Sequence, residues 1–148
     1  MATLKVKIQE DIILSNQDYG SKRTLEIVSI DEVMKRIVTC AASQTTTVAV
    51  FNSNAYGAAG AVDIEDSKYI RITNLDSSNA VELAVVGAAT LYQVNLAAGQ
   101  SHILGSADGL MLSEADTSPS FGTMADLGSI QVNPGGNAVD VELFIASA

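Results

Sequence analysis

The chain has 148 residues, of which 47% are apolar and 17% charged, a composition that excludes intrinsic disorder and fits one domain. The net charge of -9 argues against nucleic-acid binding, because Lys and Arg supply most of the affinity for phosphates. One cysteine and one histidine exclude an internal disulfide and the usual zinc sites, so we expect no metal and no cofactor.

Apolar and polar residues alternate along most of the chain, which is the period of β-strands. Leu4, Val6 and Ile8, for example, alternate with lysines. The pattern predicts strands at residues 4–8, 24–30, 35–40, 45–51, 69–74, 81–86, 91–96, 102–104, 129–133 and 139–145. A weak helical pattern at residues 31–36 is better interpreted as a turn between two strands. Many short strands with Gly-, Asn-, Asp- and Ser-rich turns predict an all-β sandwich or barrel.

We expect residues 1–148 to form a single domain of two packed antiparallel sheets. The predicted core-facing residues are Leu4, Val6, Ile70, Ile72, Val81, Leu83, Val139, Val141 and Leu143. Two predicted hairpins look alike, since residues 72–82 and 132–140 both read strand, Asn, turn, then Asn-Ala-Val-acid. Asn fits such turns because it tolerates the left-handed conformation. Residues 54–61 and 113–124 are predicted loops.

Two stretches, residues 37–62 and 83–107, contain no charged residue. Polar residues interrupt both, so neither predicts a membrane span. The N-terminus alternates charge with apolar residues and does not look like a signal peptide. We therefore interpret the two uncharged stretches as candidate contacts between subunits.

The residues that carry catalysis are sparse. Ser101 and His102 are neighbours in a predicted strand, so their side chains point to opposite faces and cannot form a catalytic dyad. The carboxylate clusters at 63–66 and 114–116 lie in predicted turns, and no phosphate-binding or calcium-loop motif occurs. Cys40 is interpreted as a small core residue at a strand end, with a reactive thiol as the alternative. We expect no enzymatic activity.

A large part of the chain resembles known virion proteins. Residues 69–83 read Tyr-Ile-Arg-Ile-Thr-Asn-Leu-Asp-Ser-Ser-Asn-Ala-Val-Glu-Leu, residues 94–104 read Val-Asn-Leu-Ala-Ala-Gly-Gln-Ser-His-Ile-Leu, and an acidic strand follows at 139–145. This pattern resembles small tailed-bacteriophage virion proteins, although Ala98 and Gln100 depart from their usual Leu-x-Pro-Gly-Glu. Residues 6–14, 17–25 and 35–38 look like marine cyanophage structural proteins.

The resemblance implies a jelly-roll-like β-sandwich that serves as a capsid decoration (cement) protein. Its partner would be the major capsid protein, and it would be assembled in the bacterial host cytoplasm onto the outer capsid surface. The alternative is a neck, tail or fibre component, including a receptor- or carbohydrate-binding sandwich. The latter should show an aromatic-lined cleft, and aromatic residues make up only 5% of the chain.

Basic residues are concentrated at the N-terminal end. All eight lie at or before Arg71, and residues 72–148 contain eight acids and no Lys or Arg. Because phage shells are often acidic outside, we expect the basic region to dock on the capsid. The candidate docking residues are Lys5, Lys7, Lys22, Arg23, Lys35 and Arg36. The alternative is that lysines on an edge strand only block unwanted sheet pairing. We also expect a homotrimer, with a dimer as the alternative.

Overall fold

The computed structural model describes residues 1–54, 60–88, 90–114 and 118–148, and every regular element in them is a β-strand. The strands are β1 (Ala2–Glu10), β2 (Ile13–Leu14), β3 (Gln17–Asp18), β4 (Ser21–Ile30), β5 (Glu32–Cys40), β6 (Thr46–Asn52), β7 (Val62–Asp63), β8 (Ser67–Asn74), β9 (Val81–Gly87), β10 (Leu91–Leu96), β11 (Ser101–Leu104), β12 (Leu127–Asn133) and β13 (Val139–Ser147). The expected all-β fold is confirmed.

Two sheets form a sandwich. One contains four strands in the order β11-β8-β13-β5, and the other contains five in the order β10-β9-β12-β6-β7. All pairs are antiparallel except the short β6–β7 pair. Strand β13 lies between β8 and β5, so the end of the chain occupies the middle of the four-stranded sheet.

The inner faces of both sheets form one apolar core, as the alternation predicts. Seven predicted core residues are at most 1% exposed in it: Ile70, Ile72, Val81, Leu83, Val139, Val141 and Leu143. The prediction is wrong for Leu4 and Val6. Both are half-buried against a second, smaller cluster outside the sandwich, because alternation shows that a strand has an apolar face but not which surface that face covers.

The N-terminal part forms a long hairpin instead of joining the sandwich. Strand β1 pairs with β4, and β2 pairs with β3 at the far end, where Ser15 and Asn16 have φ of 51° and 67°. Positive φ at both turn residues is typical of the tight type I′ hairpin turn. Gly20 lies beside β4, where a Cβ would be 2.5 Å from the Glu10 carbonyl oxygen, so a side chain does not fit there. We call residues 1–30 the arm.

The expected turn at residues 31–36 is wrong. Asp31 alone separates β4 from β5, which already begins at Glu32. The chain passes here from the β1–β4 pair into the four-stranded sheet: Ser29 has φ of 63°, and the Asp31 N–H donates to the Ser147 carbonyl of β13 at 3.0 Å. Strands β2, β3 and β7 were not predicted, since two residues are too few to show a period.

The prediction of two look-alike hairpins is wrong: both turns form, but β8 and β13 lie in one sheet and β9 and β12 in the other, so each turn connects the two sheets instead of two paired strands. Asn74 ends β8 and Asn133 ends β12, and the turns touch where the Asn137 amide donates to Asn79 Oδ1 at 3.1 Å. The predicted loops lie partly outside the described residues, at 55–59 and at 115–117. No helix in the described part of the chain is long and apolar enough to cross a membrane.

Candidate functional site

The arm is the most exposed element of the molecule. Strands β1 and β4 are hydrogen-bonded only to each other, and most of their residues are exposed. Eight of the sixteen exposed large apolar side chains in the described ranges belong to it: Met1, Ile8, Ile12, Ile13, Leu14, Tyr19, Leu25 and Val28. Exposed apolar residues concentrated on one projecting element mark an interaction surface.

The base of the arm is anchored on the outer face of the four-stranded sheet. Ile30 is 4% exposed and packs with Tyr69 and Ala146, and Leu4, Val6, Ile27 and Phe144 surround them. The Tyr69 and Phe144 rings meet edge to face with centroids 6.0 Å apart, a favourable aromatic arrangement. The arm is therefore held at one end only.

The register of β1 and β4 separates the arm into two faces. Lys5 is opposite Glu26, Lys7 is opposite Thr24 and Gln9 is opposite Lys22, whereas Val6 is opposite Leu25 and Ile8 is opposite Arg23. Directly opposed residues share a face of an antiparallel pair. One face, which we call the basic face, thus carries Lys5, Lys7 and Lys22, and the other is mostly apolar.

The basic face is accessible to a partner. The Lys5 ammonium lies 2.8 Å from the Glu26 carboxylate, and both side chains are more than half exposed. Within the part of the chain that the structure describes, Lys7 and Lys22 form no ion pair. Such an exposed pair contributes only about 0–1 kcal/mol, so these lysines are not needed for the fold.

The other three candidate docking residues lie elsewhere. Arg23 is on the apolar face of the arm. Lys35 is on β5, 3.6 Å from the Glu142 carboxylate, and Arg36 on the same strand donates to the Val48 carbonyl of the opposite sheet. The structure therefore brings Lys5, Lys7 and Lys22 together and does not bring Arg23, Lys35 and Arg36 onto the same surface.

A small charged network lies on the outer face of the four-stranded sheet. The Arg71 guanidinium donates to Glu142 Oε1 at 2.6 Å and lies 5.8 Å from the centre of the Phe144 ring. The hydrogen bond from Arg71 lowers the pKa of Glu142, and the Lys35 charge lowers it further. This network ties β5, β8 and β13 together beside the base of the arm.

An apolar groove runs between the arm and the sandwich. It has a volume of about 640 Å³, and its walls include Val6, Ile8 and Leu25 from the arm and Tyr69 and Ile103 from the four-stranded sheet. Arg23 and Lys68 also line it, and no acidic residue does. We call it the groove.

Ser101 and His102, which adjoin in the sequence, have different partners in the structure. The Ser101 hydroxyl is 2.7 Å from Thr73 Oγ1 on the outer face, while Nε2 of His102 is 3.1 Å from the Tyr92 hydroxyl at the edge between the sheets. Burial lowers the pKa of His102 and raises the pKa of Tyr92. Within the described ranges, no group of three or more His, Cys, Asp or Glu residues could hold a metal ion.

Cys40 lies at the end of β5 and is 0% exposed, as expected for a small core residue. Burial raises the pKa of its thiol, which disfavours the reactive thiolate. The uncharged stretches contribute to β5 and, in the other sheet, to β6 and β9. Much of both stretches is core, including Val48, Phe51, Leu83 and Val85, so burial within one chain already explains part of the missing charge.

Sequence reasoning did not identify the apolar end of the arm. Residues 12–14 read Ile-Ile-Leu and precede Ser15 and Asn16, a pair suited to a tight turn. That combination of an apolar run and a turn signal predicts a hairpin. Residues 12–14 lack an alternating pattern, because both faces of a projecting hairpin end are open to solvent. A search for alternation therefore misses them.

Comparisons with known proteins identify no relative. No protein-family model matches the chain, and no curated protein matches it. Among solved structures, the chain is similar to a protein of Bacillus endospore appendages, described as a novel family of disulfide-linked pili. The two share 10% identity and a TM-score of 0.43, over 78% of this chain and 85% of the other. A likeness at that level carries no functional argument.

Proposed function

We propose that the protein is a structural, non-enzymatic virion component that attaches to the outer capsid shell through the basic face of the arm. The observation that carries the proposal is the arm itself, an anchored hairpin that presents Lys5, Lys7 and Lys22 on one exposed face. Attachment to assembled shells alone would stabilise them by mass action, because binding shifts the equilibrium toward the bound form.

The connectivity of the sandwich supports a jelly-roll assignment within this proposal. Apart from the short β7, the two sheets contain β11-β8-β13-β5 and β10-β9-β12-β6. This order is that of two interleaved Greek keys, the connectivity of the eight-stranded jelly rolls found in viral capsid and lectin domains. A shared fold does not imply a shared function, so the proposal depends on the arm.

A receptor- or carbohydrate-binding role has less support. The residues that line the groove include one aromatic ring, Tyr69, which already packs edge to face with Phe144. The exposed rings Tyr19 and Phe121 lie at the end of the arm and in the segment after Ser113. No wall of the groove therefore offers the stacked rings on which a sugar site depends.

The test replaces the charges of the basic face without changing the fold. We expect Lys5→Gln/Lys7→Gln to reduce occupancy on shells of the virus that encodes the chain and to flatten its salt dependence. Exposed ion pairs weaken as salt shortens the Debye length to about 8 Å and below. The thermal unfolding of the free protein should stay nearly unchanged, since both lysines are exposed.

Lys35→Gln is the control for position, because it removes one positive charge from the sandwich where the test variant removes two from the arm. It should leave occupancy unchanged. Undiminished occupancy of the Lys5/Lys7 variant at low salt would contradict docking through the basic face. Electron microscopy of the particle that places the chain in the neck, tail or fibres would contradict the capsid location.

A further inference from the structure

The groove is open along an unpaired strand edge. In the part of the chain that the structure describes, β11 pairs with β8 and with no other strand. Ile103 and Leu104 of β11 line the groove together with Gly105. An open edge beside an apolar wall is suited to an added extended segment, because its free N–H and C=O groups can pair with another strand.

The end of the arm has the matching chemistry. Ile12, Ile13, Leu14 and Tyr19 are 53–76% exposed there. Between residues 10 and 19 the chain contains three acidic residues and no basic one. The groove has two basic residues and no acidic one among its walls. An acidic apolar hairpin end and a basic apolar groove are complementary in both charge and hydrophobicity.

A chain cannot place its own hairpin end in its own groove. Ile8 and Leu25 form one wall of the groove and belong to the same two strands that continue to the hairpin end. The five steps along the chain from Ile8 to Ile13 span about 17 Å at the rise of a strand, away from the groove. A second copy can bring its end to the groove without any refolding.

We propose that residues 11–19 of one copy occupy the groove of a second copy and thereby join copies of this chain. The contact is between two different surfaces, so reciprocal insertion gives a dimer. Insertion in one direction gives a ring where the rotation between copies closes and a filament where it does not. The apolar end is buried between Leu25 and Ile103, and Asp11 approaches Arg23. The inference is independent of capsid attachment, because it uses the end of the arm and the groove and not the basic face.

The first test is a charge swap between the two surfaces. In sedimentation of the full chain at micromolar concentration, Arg23→Glu and Asp11→Lys should each weaken self-association about tenfold, because the contact then opposes like charges. The combination of both substitutions should restore it. Lys22→Glu is the matched control, since it makes the same charge change one residue away on the basic face and should have no effect.

The second test detects the contact directly. Cys40 is buried, so cysteines introduced by Ile13→Cys and Ile103→Cys, in two separate chains, are the accessible thiols. Mild oxidation of the mixture should join the two chains, whereas Ile13→Cys alone should give few dimers. A wild-type chain that stays monomeric at micromolar concentration would overturn the proposal. So would a self-association that neither the swap nor Ile13→Asp changes.

A small apolar ligand is the other occupant that the groove could accept, since ligand pockets have volumes of roughly 300–1,000 Å³. Binding of a fluorescent apolar dye to a monomeric chain, blocked by Leu25→Asp, would overturn the proposal in favour of a ligand. Capsid occupancy is read separately. The Lys5/Lys7 variant should lose shell binding and keep self-association, so the two proposals fail independently.

Discussion

Asn74 is a buried polar residue that holds the β8–β9 turn against the end of β10. It is 0% exposed, and its side-chain amide donates to the Asn79 carbonyl at 2.8 Å and to the Leu96 carbonyl at 3.0 Å. Its Oδ1 accepts the Asp76 N–H at 2.9 Å. One side chain therefore satisfies three backbone groups from the β8–β9 turn and from β10.

We expect Asn74→Ala to lower the free energy of unfolding by about 2–3 kcal/mol, because it leaves buried carbonyls without donors. Asn133→Ala is the matched control from the look-alike turn between β12 and β13. Asn133 is half-buried and bonds Glu82 at the surface, so its loss should cost under about 1 kcal/mol. Urea denaturation compares the two variants, and equal losses would contradict the interpretation.

His102 makes stability depend on pH near neutrality. Burial beside Tyr92 lowers its pKa, so the unfolded chain, with a His pKa of about 6.5, binds the proton more readily than the folded protein. The stability that neutral His102 contributes is fully present above about pH 6.5, and it is lost as the pH falls through the lower pKa of His102 in the folded protein. Between about pH 7.5 and about pH 5.5, the urea midpoint of unfolding should therefore fall less for His102→Gln than for the wild type. An equal loss would contradict this role.

At the scale of elements, the arm and the sandwich differ in what stabilises them. A two-stranded hairpin is marginal by itself in water, and the arm is packed only at its base. The sandwich strands β8 and β13 have neighbours on both sides and a buried inner face. Local opening should therefore begin at the far end of the arm.

Hydrogen exchange with peptide resolution checks this difference. In the dilute protein, amides of residues 5–26 should exchange at least about tenfold faster than those of β8 and β13. Raising the protein concentration should slow exchange in the arm and along β11 if copies join through the groove. Arm amides as protected as those of β13 in a dilute sample would show that another surface holds the arm.

The sequence predicts the sandwich better than the arm, for a physical reason. In β8, β9 and β13, one face is buried and the other is partly solvated, so alternation marks the strands, and Ile70, Leu83 and Val141 lie in the predicted core. Leu4 and Val6 show the same period but cover a different surface. The basic face follows from the register of β1 with β4, and that register depends on the turn at Ser15 and Asn16. The groove could not be predicted, because it forms between elements distant in sequence.

At the scale of the whole molecule, the first and last strands of the sandwich, β5 and β13, pair with each other. The Thr39 hydroxyl donates to Asp140 Oδ1 at 2.5 Å across 101 positions of sequence. The four-stranded sheet is incomplete until β13 has been inserted between β8 and β5. Closing such long loops costs conformational entropy before any contact compensates for it.

We therefore expect slow folding, with time constants from milliseconds to seconds, as is usual for sandwiches dominated by long-range pairing. Stopped-flow refolding followed by tyrosine fluorescence can measure it, since the chain has four Tyr and no Trp. Leu143→Ala removes a fully buried side chain from β13 and should lower the free energy of unfolding by about 2–5 kcal/mol. Ile13→Asp changes an exposed residue at the end of the arm and should leave the refolding rate unchanged. Refolding within microseconds, or a rate that depends on Ile13, would show that local contacts in the arm, rather than the pairing of β13, limit folding.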